Sequence, residues 1–178
     1  MNFFIQFLTY SRIMIGPIIF VLIFYFSQYG LAIVLFFLGS LSDFFDGFLA
    51  RKYNLASELG EILDPIADKV LLVFLLFSIS ILSQSALVAL MSSMMIAREF
   101  WVSALRDYNS RNMNLSATKV TFIAKLKTSI QFFAIFLFLL SFYYENNLTE
   151  FIATFVLFLS MILSFQSAVR YSVETFNK

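Results

Sequence analysis

Six long apolar segments constrain this chain more than any other feature of its sequence. They lie at residues 6–27, 31–51, 62–82, 86–106, 122–143 and 150–171. Each is close to the ~20 residues that an α-helix needs to cross a bilayer. The chain is 61% hydrophobic, and one core built from 178 residues cannot bury that excess, so the remainder must face lipid. The sequence therefore predicts an all-α membrane protein with six transmembrane helices that form a single domain, residues 1–178.

The distribution of charge predicts the orientation of these helices. The short connections near residues 28, 84 and 146 contain no Lys or Arg, whereas the connections after the second and fourth segments are rich in both. If both termini are cytoplasmic, all 12 Lys and Arg lie on the cytoplasmic side or in the cytoplasmic halves of helices. Because cytoplasmic loops carry an excess of Lys and Arg, we predict that both termini face the cytoplasm.

The composition also limits the chemistry. The net charge is +1, which gives no indication of a nucleic-acid partner. The sequence contains neither Cys nor His, which excludes thiol chemistry, a histidine base and a phosphohistidine intermediate. Metal ligands would have to be oxygen atoms, and oxygen ligands favour Mg²⁺ or Mn²⁺.

Acidic residues cluster around the connection between the second and third segments. On the second segment, five residues share the i, i+3, i+4, i+7, i+8 spacing of one helical face: Asp43, Asp46, Gly47, Ala50 and Arg51. At the start of the third segment and just before it, one helical face is formed by residues spaced four apart: Gly60, Asp64 and Asp68. Two antiparallel neighbouring helices would direct all four carboxylates toward one cytoplasmic cleft.

Two interpretations of these residues remain open. The acids could pair with Arg51, Lys52 and Lys69 as structural contacts, and the small residues Gly47 and Ala50 could serve close helix packing. Alternatively, because four carboxylates in a low dielectric need protons or cations to neutralise them, they could bind two divalent ions. Two such ions could clamp a phosphoryl group, and the small residues would then leave room for the ligand.

The same residues carry a family resemblance. Their spacing matches the signature D-x2-D-G-x2-A-R-x8-G-x3-D-x3-D, and here the chain resembles the CDP-alcohol phosphatidyltransferases. Three further segments resemble bacterial phosphatidylglycerophosphate synthases: LTYSR at 8–12, MIAREFWVSALRDY at 95–108 and AKLKTSIQ at 124–131. One departure is Gln6, because relatives often carry Asn at that position.

The resemblance implies transfer of a phosphatidyl group from CDP-diacylglycerol to sn-glycerol 3-phosphate, with CMP as the second product. It implies Mg²⁺ or Mn²⁺, as two ions, held by Asp43, Asp46, Asp64 and Asp68, with Asp68 also the general base. It implies a CDP-diacylglycerol site formed by Thr9, Gly47, Ala50, Arg51, Ser57 and Gly60. A homodimer in the bacterial inner membrane, surrounded by membrane lipids and active on its cytoplasmic face, is also implied.

A phosphate-bearing acceptor needs fixed positive charge. Cations within membrane spans are costly and tend to face an interior partner. We therefore expect the glycerol phosphate site among the basic residues of the last three segments: Arg98, Lys125 and Lys127, assisted by Arg106 or Arg170. The alternative is that Arg98 pairs with an acid while the lysines anchor to anionic headgroups.

Two other functions compete with this one. The same chemistry could serve another acceptor, such as inositol phosphate, serine or phosphatidylglycerol. An ion or proton transporter is less favoured, because a transport pathway would need acidic groups near the bilayer midplane. In the predicted topology, every acid except Glu145 and Glu150 lies in a cytoplasmic half.

Overall fold

The computed structural model describes the backbone of residues 2–53, 58–111 and 122–176, and the side chains of residues 9–42, 63–111 and 126–176. Within these ranges the chain forms six helices and no strand, which confirms the all-α prediction. They are α1 (Asn2–Phe26), α2 (Tyr29–Tyr53), α3 (Glu58–Leu82), α4 (Ala86–Arg111), α5 (Phe122–Tyr144) and α6 (Asn147–Phe176).

Five of the helices contain a described stretch that is long and apolar enough to cross a membrane. These stretches are Thr9–Phe26, Leu63–Leu82, Ala86–Arg111, Leu126–Tyr144 and Asn147–Phe176. In α2 the described apolar stretch is shorter, Tyr29–Ser42, because the side chains that follow it lie outside the described residues. The helices indicate a membrane protein, while the count of six spans stays a prediction.

Three tight turns join consecutive helices where the sequence predicts short connections. Ser27, Gln84 and Glu145 each adopt a positive φ, of 52°, 48° and 50° respectively. This left-handed conformation at the end of a helix allows the next backbone N–H groups to bond to the last carbonyls. After α1, for example, the N–H of Gln28 donates to the carbonyl of Leu22 at 3.0 Å.

The chain divides into two compact units, Met1–Ser78 and Ile79–Lys178. In the first unit α1 packs on α2 as an antiparallel pair, with Arg12 beside Ser42. The pair approaches closely at Gly39, where an added Cβ would lie 3.4 Å from Ile15 Cγ2. Small residues at such crossings are the usual means of packing helices in lipid, where apolar contact alone gives little preference.

In the same unit α1 and α3 run parallel. A Cβ added at Gly16 would lie 3.2 Å from the Cα of Leu71 and 3.3 Å from the carbonyl oxygen of Val70, so the two backbones nearly touch there. Further along, Phe20 packs against Phe74 with ring centroids 6.2 Å apart. This close approach fixes the separation of the two helices at the level of the residues described below.

The second unit is built on the α5–α6 hairpin, with α4 lying parallel to α6. Polar side-chain contacts join these two parallel helices. They are Arg98 with Ser167, Trp101 with Ser172, Arg106 with Tyr171 and Asn109 with Thr175. Interhelical hydrogen bonds of this kind stabilise packing in lipid. These contacts therefore set the register between α4 and α6.

Candidate active site

Two of the predicted metal ligands, Asp64 and Asp68, lie one turn apart on α3 and are both contacted by α1. The hydroxyl of Thr9 donates to Oδ1 of Asp64 at 2.7 Å. Nη1 of Arg12 donates to Oδ1 of Asp68, also at 2.7 Å. The spacing of three residues on α1 and four on α3 places each donor opposite its own carboxylate, because the two helices run parallel.

Arg12 also connects the carboxylates to α2. Its guanidinium is fully buried, and its Nε donates to the hydroxyl of Ser42 at 3.2 Å. Ser42 immediately precedes Asp43, the first acidic residue of the signature. One buried cation therefore joins Asp68 of α3 to the point on α2 where the signature begins.

The chemistry of these side chains fits a divalent cation. Asp68 has 47% of its side chain exposed although its partner Arg12 is fully buried, so the carboxylate is held by Arg12 and is still accessible to solvent. Carboxylate oxygens are the ligands that Mg²⁺ and Mn²⁺ prefer. Among the residues whose side chains are described, no group of three or more possible ligands is close enough to hold an ion. The cluster of four carboxylates stays a prediction, because Asp43 and Asp46 lie outside that part of the chain.

The remaining residues of the signature are located by their backbone or lie outside the described part. α2 contains Asp43, Asp46, Gly47, Ala50 and Arg51, and α3 contains Gly60. Their side chains are outside the described residues, as is the whole of Ser57. The expectation that both halves of the signature lie on helices is confirmed, whereas the ligands that these side chains bind stay predictions.

A second polar cluster lies in the unit formed by α4, α5 and α6. Arg98 is only 3% exposed, and its Nη1 donates to Oε1 of Glu99 at 2.7 Å. Nζ of Lys127 donates to the same oxygen at 2.6 Å. Arg98 also donates to the carbonyl of Ser164 and the hydroxyl of Ser167 on α6. Glu99 is therefore the carboxylate that two buried cations share.

The other basic residues predicted for the acceptor site are Arg106, Arg170 and Lys125. Arg106 is exposed and lies over the ring of Tyr171, 5.2 Å from its centroid. Arg170 is exposed and pairs with Glu174 one turn along α6. Lys125 lies in α5, and its side chain is outside the described residues. Of the predicted basic set, Arg98 and Lys127 are joined through a common partner, whereas the contacts of Arg170 are at the surface.

Three residues of these clusters are absent from the sets predicted from sequence. Arg12 and Glu99 had a signal, because each is a charged residue within or beside a long apolar segment, where charge is costly. Ser167 had none, since serine is common in membrane helices and its spacing does not identify a partner. The predicted alternative that Arg98 pairs with an acid is observed, and a role for Arg98 at an acceptor phosphate stays a prediction.

Comparison with known proteins shows what most of this chain is similar to. Residues 5–166 match the family model described as CDP-alcohol phosphatidyltransferase. A protein of Wigglesworthia glossinidia brevipalpis is 38% identical over 92% of this chain and 90% of its own length. A protein of Rickettsia typhi is 40% identical over 73% of this chain and 72% of its own length. A protein of Escherichia coli K12 is 34% identical over 92% of this chain and 90% of its own length.

Each of these three relatives is named CDP-diacylglycerol–glycerol-3-phosphate 3-phosphatidyltransferase. The family model covers most of the chain, and it includes every residue of the signature from Asp43 to Asp68. The resemblance inferred from the sequence is confirmed. This chain belongs to the CDP-alcohol phosphatidyltransferase family.

Proposed function

We propose that this protein is the enzyme that transfers a phosphatidyl group from CDP-diacylglycerol to sn-glycerol 3-phosphate in phospholipid biosynthesis. The products are phosphatidylglycerol phosphate and CMP. The observation that carries the proposal is the complete eight-residue signature in a chain that is similar over most of its length to relatives named for this reaction.

In the proposed reaction, a hydroxyl oxygen of glycerol 3-phosphate attacks the phosphorus of the phosphatidyl group. The bond from that phosphorus to CMP breaks, and CMP leaves with the bonding electrons. The proton of the attacking hydroxyl passes to a carboxylate, for which we propose Asp68. Its half-exposed side chain is open to an incoming acceptor, and Arg12 holds one of its oxygens. Positioning of this kind supplies much of the catalysis in phosphoryl transfer.

Mg²⁺ or Mn²⁺ would be held by the four aspartates of the signature, Asp43, Asp46, Asp64 and Asp68. When bound, the metal would supply positive charge to the pyrophosphate of CDP-diacylglycerol and to the departing CMP. The oxygen-only chemistry of the site supports this assignment, since the chain has no Cys or His. For CDP-diacylglycerol we propose a site formed by Gly47, Ala50, Arg51, Ser57 and Gly60. Thr9, which the resemblance also implies there, is 1% exposed and would act on this site through its hydrogen bond to Asp64.

The charge of the second cluster supports an acceptor that carries phosphate. Among the residues whose side chains are described, this cluster contains the cations Arg98, Arg106 and Lys127 and the carboxylate of Glu99, which leaves two positive charges. Arg106 acts electrostatically on both other cations. A phosphate monoester carries about −1.5 to −2 charges at neutral pH, so its charge would balance this excess. We propose that Arg98, Lys125 and Lys127 bind the phosphate, with Arg106 or Arg170 assisting.

Two buried polar atoms near these cations also support a polar acceptor. Nε2 of Gln131 and Oγ of Ser164 are buried and have no hydrogen-bond partner among the described residues. Gln131 lies one turn beyond Lys127 on α5, and the carbonyl of Ser164 accepts from Arg98. Buried polar groups generally find a partner, and a polar ligand such as glycerol 3-phosphate would provide one.

The proposed setting is a bacterial inner membrane. We propose six spans with both termini in the cytoplasm, an active site open to the cytoplasm, one domain formed by residues 1–178, and a homodimer. The alternation of basic and non-basic connections supports the orientation. The five described spans support the membrane location.

The proposed function is tested with purified protein, CDP-diacylglycerol and labelled glycerol 3-phosphate in mixed micelles. We expect CMP release and a labelled lipid product that require Mg²⁺ or Mn²⁺ and disappear with EDTA. Inositol phosphate, serine and phosphatidylglycerol serve as competing acceptors. Transfer to one of these in preference to glycerol 3-phosphate would contradict the proposed acceptor, and product formation undiminished by EDTA would contradict the proposed metal.

A further inference from the structure

We infer that Thr9 and Arg12 are positioning residues that hold the carboxylates of Asp64 and Asp68 in the orientation that binds a divalent cation. We call this pair the α1 brace. The inference rests on the proposed function in one respect, the assignment of Asp64 and Asp68 as metal ligands. It gives α1 a part in metal binding, although α1 supplies no carboxylate.

The geometry separates the α1 brace from a substrate-binding surface. Thr9 is 1% exposed and Arg12 is fully buried, so both side chains are enclosed by protein. Each donates to Oδ1 of its own aspartate at 2.7 Å. Asp68 nevertheless has 47% of its side chain exposed, which leaves the carboxylate accessible to a cation.

A carboxylate needs such support because its terminal torsion is soft. The χ2 angle of Asp is broad and roughly two-fold, so an unsupported carboxylate samples many orientations. A hydrogen bond to one oxygen restricts that rotation. Partners that orient metal ligands in this way typically contribute about 10–100-fold to metal affinity or activity.

Arg12 suits this position better than Lys would. Its guanidinium is planar and permanently charged, and it presents several donors in a fixed arrangement. Here that arrangement serves two helices at once, with Nη1 on Asp68 and Nε on Ser42. A lysine would keep the charge but could not reproduce both contacts from one rigid group.

The α1 brace is tested by Mn²⁺ binding to the purified full-length protein without substrate, measured by electron paramagnetic resonance of the unbound ion. The variants are Thr9→Val, which removes the hydroxyl, Thr9→Ser, which keeps it, and Arg12→Lys, which keeps the charge. Ser40→Ala is the matched control, because among the described residues the hydroxyl of Ser40 donates to the carbonyl of Phe36 in its own helix, at 2.8 Å. We expect Thr9→Val and Arg12→Lys to weaken Mn²⁺ binding about tenfold or more, and Thr9→Ser and Ser40→Ala to match the wild type.

A second measurement separates positioning from substrate contact. With Mn²⁺ raised to saturation, we expect Thr9→Val to recover the wild-type KM for CDP-diacylglycerol. Wild-type Mn²⁺ affinity in Thr9→Val together with a raised KM for CDP-diacylglycerol would overturn the inference and make Thr9 a substrate contact. Absence of Mn²⁺ binding in the wild type would overturn it as well.

The outcome is distinguishable from failure of the proposed function. If the enzyme used another acceptor, Thr9→Val and Arg12→Lys would still bind Mn²⁺ more weakly than the wild type. If Arg12→Lys failed to fold, as judged by its thermal unfolding, Thr9→Val would decide the question. That change preserves the shape of the side chain and leaves the buried cation in place.

Discussion

Lys127 and Arg98, which lie on different helices, donate to the same carboxylate oxygen, Oε1 of Glu99, at 2.6 and 2.7 Å. Both cations are almost completely buried. A buried charge that loses its partner is strongly destabilising, so Glu99 is what allows two positive charges to remain inside the helix bundle. The same cluster joins three helices, because Arg98 also bonds to Ser164 and Ser167 of α6.

Replacing Glu99 by Ala should therefore destabilise the protein, by about 3 kcal/mol, because it leaves both cations without their carboxylate. Glu99→Gln should cost less, since the amide oxygen can still accept a hydrogen bond. Thermal unfolding in detergent, followed by the fluorescence of Trp101, measures the effect. The control is Glu174→Gln, which breaks a surface pair with Arg170 and should change stability by less than about 1 kcal/mol. Equal effects of Glu99→Ala and Glu174→Gln would contradict the shared role of Glu99.

Replacing Lys127 by Met should weaken use of the acceptor selectively. The change removes one positive charge while keeping an unbranched side chain. A hydrogen bond to a charged group contributes about 1.5–3 kcal/mol, so we expect the KM for glycerol 3-phosphate to rise about 10- to 100-fold. The KM for CDP-diacylglycerol should not change. Steady-state kinetics with each substrate varied in turn provide the measurement, with Arg111→Gln as a control at an exposed pair. An unchanged KM for glycerol 3-phosphate would exclude Lys127 from the acceptor site.

Asp68→Asn should abolish most of the activity, because an amide cannot accept the proton of the attacking hydroxyl. Loss of a general base typically lowers the rate about 10²–10⁴-fold. Asp64→Asn should act mainly by weakening Mn²⁺ binding, so that part of its activity returns at high Mn²⁺. Turnover at increasing Mn²⁺ distinguishes the two variants. Asp107→Asn, at the exposed pair with Arg111, should retain full activity. Recovery of Asp68→Asn at high Mn²⁺ would contradict its role as the base.

Gly16→Ala should be more harmful than Gly39→Ala. At Gly16 the new Cβ would lie 3.2 Å from the Cα of Leu71, and a backbone atom can move only if the helix moves. At Gly39 it would lie 3.1 Å from Cδ2 of Leu71, the end of a side chain that can rotate away. Overpacking costs about 1–3 kcal/mol, whereas Ala gains up to about 1 kcal/mol over Gly in helix propensity.

We therefore expect a lower unfolding temperature for Gly16→Ala and little change for Gly39→Ala. Since Gly16 sets the distance between α1 and α3, its variant should also bind Mn²⁺ more weakly than Gly39→Ala. Greater destabilisation by Gly39→Ala would contradict this prediction. It would show that the side chain of Leu71 cannot rotate away and that the backbone contact at Gly16 costs less than the side-chain contact at Gly39.

The amino-acid sequence alone determined the helices, because apolar length and charge placement are local properties of the chain. The predicted segments at 6–27 and 122–143 correspond to Asn2–Phe26 and Phe122–Tyr144. The predicted short connections are the observed turns at Ser27, Gln84 and Glu145. Spacing also placed the signature residues on common helical faces, since a helix brings residues three and four apart onto one face, and the family followed from the resemblance of that signature.

The pairing of side chains from different helices was decided only by the tertiary structure. No local pattern indicates that Arg12 contacts Asp68, 56 residues away, or that Lys127 shares Glu99 with Arg98. Nor does it reveal that α4 lies parallel to α6. In lipid, one apolar helix face is energetically much like another. The neighbours of each helix are therefore selected by the few places where backbones can approach closely and buried polar groups find partners.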